Sequence, residues 1–271
     1  IDDTSPIEVG LRVFSLLTRR DQESFLVMDA FLEKALQHWP DHGFLLLNKA
    51  LCGLLRSMEE YAPARAGSGR EAAIESARRL VSVVPETLIG RIILARLLLD
   101  APDGVRAGTI VLDEIRHCAP AHGLLSLLES YAATVGGRIS EISTGFEDFR
   151  YSHPTHPFMD VFDLDAVLLA LLGRHAADAV ARSRISLAMQ PTRVAMQTLH
   201  LAGLAALQLR HEEDTRQEQA DTLAQLLMLE PRFHLGWVED HYRHLPSVLR
   251  EELRMLLSHA GLPEAPARAS S

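Results

Sequence analysis

Thirteen histidines in 271 residues raise metal chemistry first. The tightest groups are His117-Cys118 with His122, His153 with His156, and His241 with His244 beside Glu239 and Asp240. Zinc needs three or four converging donors, and each closely spaced histidine pair offers two. No HExxH, CxxC or EF-hand loop is present. The histidines are therefore expected to be exposed or to cap helices, and no metal or other cofactor is implied. Nucleophile and phosphate motifs are equally absent: there is no GxSxG, GxxxxGK[ST] or GxGxxG. The GSG at 67–69 has no preceding strand and reads as a linker. Glu212-Glu213-Asp214 suits the positive end of a helix dipole, and Arg78-Arg79 reads as a surface pair. No catalytic residue is identified, and no enzyme is expected.

Composition narrows the classes further. Lys and Arg total 27 against 36 Asp and Glu, a net charge of −9, and no basic cluster suits a phosphate-reading surface. Hydrophobic residues make up 47%, enough for a sizeable core. Cys52 and Cys118 lie far apart, so a disulfide framework is not expected and a reducing cytoplasm is the natural setting. The most apolar run, 88–101, is cut by Arg91 and Arg96 and reads as a buried helix rather than a membrane span. Only two basic residues are lysines, Lys34 and Lys49, and Arg, Ala and Leu dominate, as in GC-rich bacterial genomes.

The elements that must position any site are helices. Apolar positions recur at helical spacing almost everywhere, and strand-like alternation is missing. Ser5-Pro6-Ile7-Glu8 predicts a capped first helix to about Arg20, with a second helix over about 22–39. Amphipathic stretches then end repeatedly in proline, at Pro40, Pro85, Pro120, Pro154 or Pro157, Pro191 and Pro231. Most intervals are near 34 residues. The longer first interval is explained by a Gly/Pro/Ser-rich stretch, 59–71, expected to be an extended loop inside one helix pair. Gly104, Gly136-Gly137 and Gly173 are expected to turn the first helix of a pair into the second. Leu249, Leu253, Leu256 and Leu257 form an apolar stripe after Pro246, and Gly261 is a helix stop.

This period and the residues around each proline resemble the tetratricopeptide repeat, a stacking helix–turn–helix unit. Its bulky positions appear as Leu124, Leu127 and Tyr131, as Phe44, Leu47 and Leu51, and as Ile89, Ile92 and Arg96. Its small residue before the proline appears as Ala35, Leu80, Ile115, Ser186 and Leu226. The resemblance implies an all-α, TPR-like right-handed α-solenoid of about six helix hairpins over residues 1–232. A C-terminal capping segment, 233–263, and a disordered tail, 264–271, would follow. A generic helical bundle is the alternative.

Glu230-Pro231-Arg232-Phe233, Leu245-Pro246 and Ala260-Gly261-Leu262-Pro263-Glu264 also resemble the end of tetratricopeptide regions in bacterial class III adenylate/guanylate cyclases and winged-helix transcriptional regulators. Together with an opening at Ile1 rather than Met, this leads to the expectation of a non-catalytic sensory or protein-interaction module cut from a longer signalling protein. A free-standing adaptor or chaperone and a helical enzyme are the alternatives. The resemblance places a groove along the first helices, with His42, Lys49, His122, Glu129, Arg193 and His200 as ligand- or partner-binding candidates and Leu45, Leu125 and Met196 between them. The expected partner is a protein, a peptide or a small effector. Neither nucleic acid nor membrane is expected, and a homodimer is allowed.

Overall fold

The computed structural model describes residues 5–17, 19, 22–59, 63–101, 103–138, 159–211 and 214–265. Among these residues the chain forms thirteen α-helices and no strand. They are α1 (Pro6–Leu16), α2 (Gln22–His38), α3 (Gly43–Glu59), α4 (Pro63–Val83), α5 (Leu88–Leu99), α6 (Val105–Cys118) and α7 (Gly123–Val135), followed by α8 (Met159–Leu172), α9 (Ala176–Met189), α10 (Val194–Leu209), α11 (Arg216–Leu229), α12 (Leu235–His241) and α13 (Ser247–His259). No described helix is long and apolar enough to cross a membrane. His153, His156, Pro154, Pro157, Glu212, Glu213 and the tail beyond 265 lie outside the described residues.

The chain divides into two compact units, Ile1–Glu60 with Ala64–Ala132, and Tyr61–Pro63 with Ala133–Ser271. In the first unit α1 packs on α2 and α3, α2 on α3, α3 on α5, and α5 on α6. In the second, α8 packs on α9 and α10, α9 on α10, and α10 on α11 and α13. Contacts thus run between neighbours in sequence, between helices two apart (α1–α3, α3–α5 and α8–α10) and between α10 and α13, which is mostly local packing.

The prolines work as helix terminators. Pro40, Pro85, Pro120, Pro191 and Pro231 each lie two residues beyond the last residue of α2, α4, α6, α9 and α11. The next helix begins three or four residues later. The positions five before these prolines, Ala35, Leu80, Ile115, Ser186 and Leu226, are all buried although only two are small. Burial, not side-chain size, is the shared property.

Two of the helices that follow the prolines, α5 and α10, are buried on nearly every side. Ala195 to Leu207 of α10 are buried without interruption, and so are Ile92 to Leu99 of α5. Their partners are amphipathic: α6 buries only Gly108, Val111, Leu112 and Ile115. A helix that is apolar all round belongs in a core, and a one-sided helix belongs on its surface. Arg96, a poor match to the bulky pattern, is accommodated by neighbours. Its Nη1 lies 2.5 Å from Asp100 Oδ1, its guanidinium sits 3.8 Å over the Tyr131 ring, and Tyr131 Oη donates to Asp100 at 2.7 Å. A buried charge needs such pairing.

Several expectations are corrected. The stretch 59–71 is not an extended loop, because α4 begins at Pro63 and runs through it. Packing overrides the glycines: a Cβ on Gly53 of α3 would lie 2.3 Å from Ala73 Cβ and 3.4 Å from Gly69 O, so the two helices need the missing side chains to approach. α1 stops at Leu16 rather than Arg20. Ser5 caps it through Glu8 N–H, but the Glu8 carboxylate turns to Arg12 at 2.9 Å instead of closing a capping box. The left-handed residues in three turns are Asp103, Arg174 and His211, not Gly104 or Gly173. Leu47, expected between the helices of a pair, is only half-buried. At the C-terminus the leucine stripe is buried, Gly261 has φ +89°, and Leu235 N–H donates to Pro263 O at 2.9 Å.

Gly53 gives a direct test of packing against propensity. Gly→Ala normally favours an exposed helix interior by about 1 kcal/mol. Here overpacking of about 1–3 kcal/mol opposes it, so Gly53→Ala should lower stability in urea denaturation. A stabilised variant would contradict the α3–α4 contact.

Candidate functional site

The six candidates occupy two recurring structural positions. His42, His122 and Arg193 each immediately precede the helix after a proline, as do Thr87 and His234. Thr87 Oγ1 accepts from Gly90 N–H at 3.2 Å, His122 Nδ1 from Leu124 N–H at 3.3 Å, and His234 Nδ1 from Gly236 N–H at 3.1 Å. Helix N-termini leave such N–H groups unsatisfied, and these side chains serve them. His42 is half-buried and its Nδ1 has no hydrogen-bond partner. Arg193 is buried and donates from Nη1 to Ser186 Oγ at 2.9 Å.

Lys49, Glu129 and His200 occupy the second position, seven residues or about two helical turns further along. Each binds the helix before its own. Lys49 Nζ of α3 lies 3.0 Å from Asp29 and 3.4 Å from Glu33 of α2, and Asp29 also receives Arg56 at 2.9 Å. Glu129 of α7 receives Arg116 of α6 through two nitrogens, at 2.9 and 2.7 Å, while Arg116 also pairs with Asp113. His200 of α10 meets Ser183 of α9 and Glu218 of α11.

Lys49, Arg193 and His200 are therefore buried and internally bonded, which differs from the open groove expected. Leu45, Leu125 and Met196, expected between the polar groups along the same groove, are buried as well. The face that the repeat pattern assigns to a groove is here packed against neighbouring helices. The six residues do not converge on one site. His42 and Lys49 lie at α3, His122 and Glu129 at α7, and Arg193 and His200 at α10.

The His200 cluster has the most chemistry. Ser183 Oγ lies 2.8 Å from His200 Nδ1, and His200 Nε2 lies 3.1 Å from Glu218 Oε1. Arg184 grips Glu218 at 2.8 and 2.6 Å. Both contacts are satisfied at once by a neutral imidazole that donates from Nε2 to the carboxylate and accepts at Nδ1 from the serine. The order Ser–His–Glu is that of a nucleophilic triad. Ser183, however, is 0% exposed and its hydroxyl also lies 2.8 Å from Ala179 O, so the chain of bonds closes inside the helix packing.

Burial lowers the His200 pKa, partly opposed by the Glu218 carboxylate. The Arg184 hydrogen bond holds the Glu218 carboxyl below its ordinary value.

The remaining histidines are dispersed. His117 Nδ1 contacts Asp113 O at 2.6 Å, and the ring of Tyr242 lies 4.7 Å from that of His241 and 6.2 Å from that of His244. Among the described residues no group of three or more His, Cys, Asp or Glu could hold a metal. Cys52 is buried, Cys118 is exposed, and neither is in a disulfide.

Comparison with known proteins leaves the repeat resemblance resting on the residues alone. No protein-family model matches the chain, and no curated protein is significantly similar to it.

One surface escapes the repeat pattern. α1 buries Val9 and Val13 against α2 and α3, yet carries Ile7, Leu11 and Phe14 on another face, with Ile7 57% and Leu11 58% exposed. On α2, Leu26, Val27 and Phe31 are also exposed. The signal was readable: α1 has apolar residues on two faces, i, i+4, i+7 and i, i+4, where a surface helix needs one.

The His200 cluster makes stability depend on pH. Above about pH 6.5 both folded and unfolded imidazoles are neutral. As pH falls, the unfolded chain takes a proton that the folded His200 resists, so stability declines from about pH 6.5 through the lowered folded pKa. The Glu218 contribution is present above the ordinary carboxylate range and is lost further into acid. Melting temperature should thus fall more steeply between about pH 7 and pH 5 for the wild type than for His200→Gln. Parallel curves would contradict the assignment.

Proposed function

We propose that the chain is a non-catalytic protein-interaction module of a bacterial signalling or transcription-regulating protein, working in the cytoplasm. In this reading the helix pairs stack as a degenerate TPR-like right-handed α-solenoid. The regular proline spacing, the helix caps that follow it and the packing between helices two apart (α1–α3, α3–α5 and α8–α10) support that arrangement. Attachment to an output domain rests on the likeness of residues 230–264 to the ends of cyclase and winged-helix regulator repeat regions.

The observation that carries the interaction reading is the surplus apolar face of α1 and α2. α1 already has a buried face against α2 and α3, so Ile7, Leu11 and Phe14 are not needed for its own packing. Exposed apolar residues at helical spacing mark a surface that a partner covers. A protein partner that lays an apolar helix or strand on this face gains the burial that the fold leaves unused, about 25 cal/mol per Å² of apolar surface.

The test compares wild type with Ile7→Ser/Leu11→Ser/Phe14→Ser. These exposed substitutions should each shift stability by less than about 0.5 kcal/mol, so melting should be nearly unchanged. Quantitative affinity capture from a bacterial extract should recover a defined partner with the wild type and lose it with the triple variant. Equal recovery by both proteins would overturn the reading.

A further inference from the structure

A cleft of about 430 Å³ opens in the second unit between the ends of α8 and α10 and the side of α13. Leu171, Ala206, Leu209, Met255 and Leu256 supply its apolar wall, and Arg174, Arg210 and Glu252 supply all of its charge. Its volume falls in the range of about 300–1,000 Å³ usual for small-molecule sites, and an apolar wall with a few charged groups is their usual chemistry.

Of these charged groups, Arg210 is fixed by a hydrogen bond. Arg210 Nη1 donates to Arg174 O at 2.7 Å, which fixes one edge of its guanidinium and leaves the others unbonded among the described residues. Arg174 stands at φ +65°, the left-handed turn that closes α8, and is exposed. Neither arginine, nor Glu252, forms an ion pair with a described residue. Arg12, Arg56, Arg79, Arg116, Arg184 and Arg254, by contrast, have carboxylate partners. Among the described residues, two arginines and one carboxylate give the lining an excess of one positive charge. The two half-exposed apolar residues Leu209 and Met255 lie beside them on the same wall.

From this geometry we infer that the cleft binds a small amphiphilic monoanion, an aliphatic carboxylate whose head meets Arg174 and Arg210 and whose tail covers Leu209 and Met255. Planar guanidinium groups suit a carboxylate through paired hydrogen bonds. Glu252 limits the charge the site accepts, so a monoanion fits better than a phosphate dianion. The site is independent of the α1–α2 face and would serve a sensory role, its ligand stabilising the second unit by mass action.

Calorimetric titration of the full chain with octanoate, octanol, acetate and octyl phosphate tests the inference. Octanoate should saturate and should bind at least about tenfold more tightly than each of the other three. Arg174→Gln and Arg210→Gln should each weaken octanoate by about tenfold or more. Met255→Glu, at a half-exposed position, should abolish binding while leaving the melting temperature of the unliganded protein nearly unchanged. Glu252→Gln should tighten binding by removing the repelling charge. No saturation by wild type up to about 5 mM, equal binding by the double arginine variant, weaker binding by Glu252→Gln, or a preference for octanol or octyl phosphate would each overturn the inference.

Discussion

Burial of α5 and α10 on nearly every side is the constraint from which the rest of the structure follows. α5 and α10 present apolar side chains around their whole circumference, and their surroundings must therefore be other helices rather than water. The flanking helices can then be amphipathic. A polar side chain on such a central helix has no route to solvent, so it must find its partner within the packing. Arg96 does so through Asp100 and Tyr131, Lys49 through Asp29, and His200 through Ser183 and Glu218. These pairs lock adjacent helices in one relative position because any slip would strand a buried charge or donor.

That constraint explains what was legible in the sequence. Proline stops and polar caps are local signals: Pro120 ends one helix and His122 starts the next within three residues, whatever surrounds them. The all-helical character, the helix ends and the buried leucine stripe of the C-terminal segment followed from such local chemistry. Which face of a helix meets water is a tertiary property. Lys49 and His200 fall on the face that the repeat register assigns to a groove, and only their partners on α2, α9 and α11 show that this face is packed. Gly67 to Gly69 read as a break because glycine disfavours helix, yet α4 runs through them, and the tight approach to α4 is carried by Gly53 of α3 against Ala73. Arg174, Arg210 and Glu252 are separated by more than 70 residues along the chain, and nothing local joins them in one cleft.

The same division separates architecture from function. The polar residues most prominent along the repeat are spent on holding helices together. Two features outside that packing stand out, the exposed apolar residues of α1 and α2 and the charged residues lining the cleft in the second unit. A protein surface and a small-ligand site need different chemistry, and the two features differ in that way: one is broad and apolar, the other concave and charged. Ser183, His200 and Glu218 show the reverse case, in which a reactive-looking order of residues is closed off by packing. Accessibility, not residue type, decides which groups remain for function.

Hydrogen exchange measured helix by helix addresses the central claim most directly. If the post-proline helices form the core, backbone amides of α3, α5 and α10 exchange only through the rarest openings, while those of α6, α9 and α11 exchange through local opening at lower cost. The account predicts slowest exchange in α3, α5 and α10. Equal protection across all helices, or greater protection of α6, α9 and α11, would contradict it.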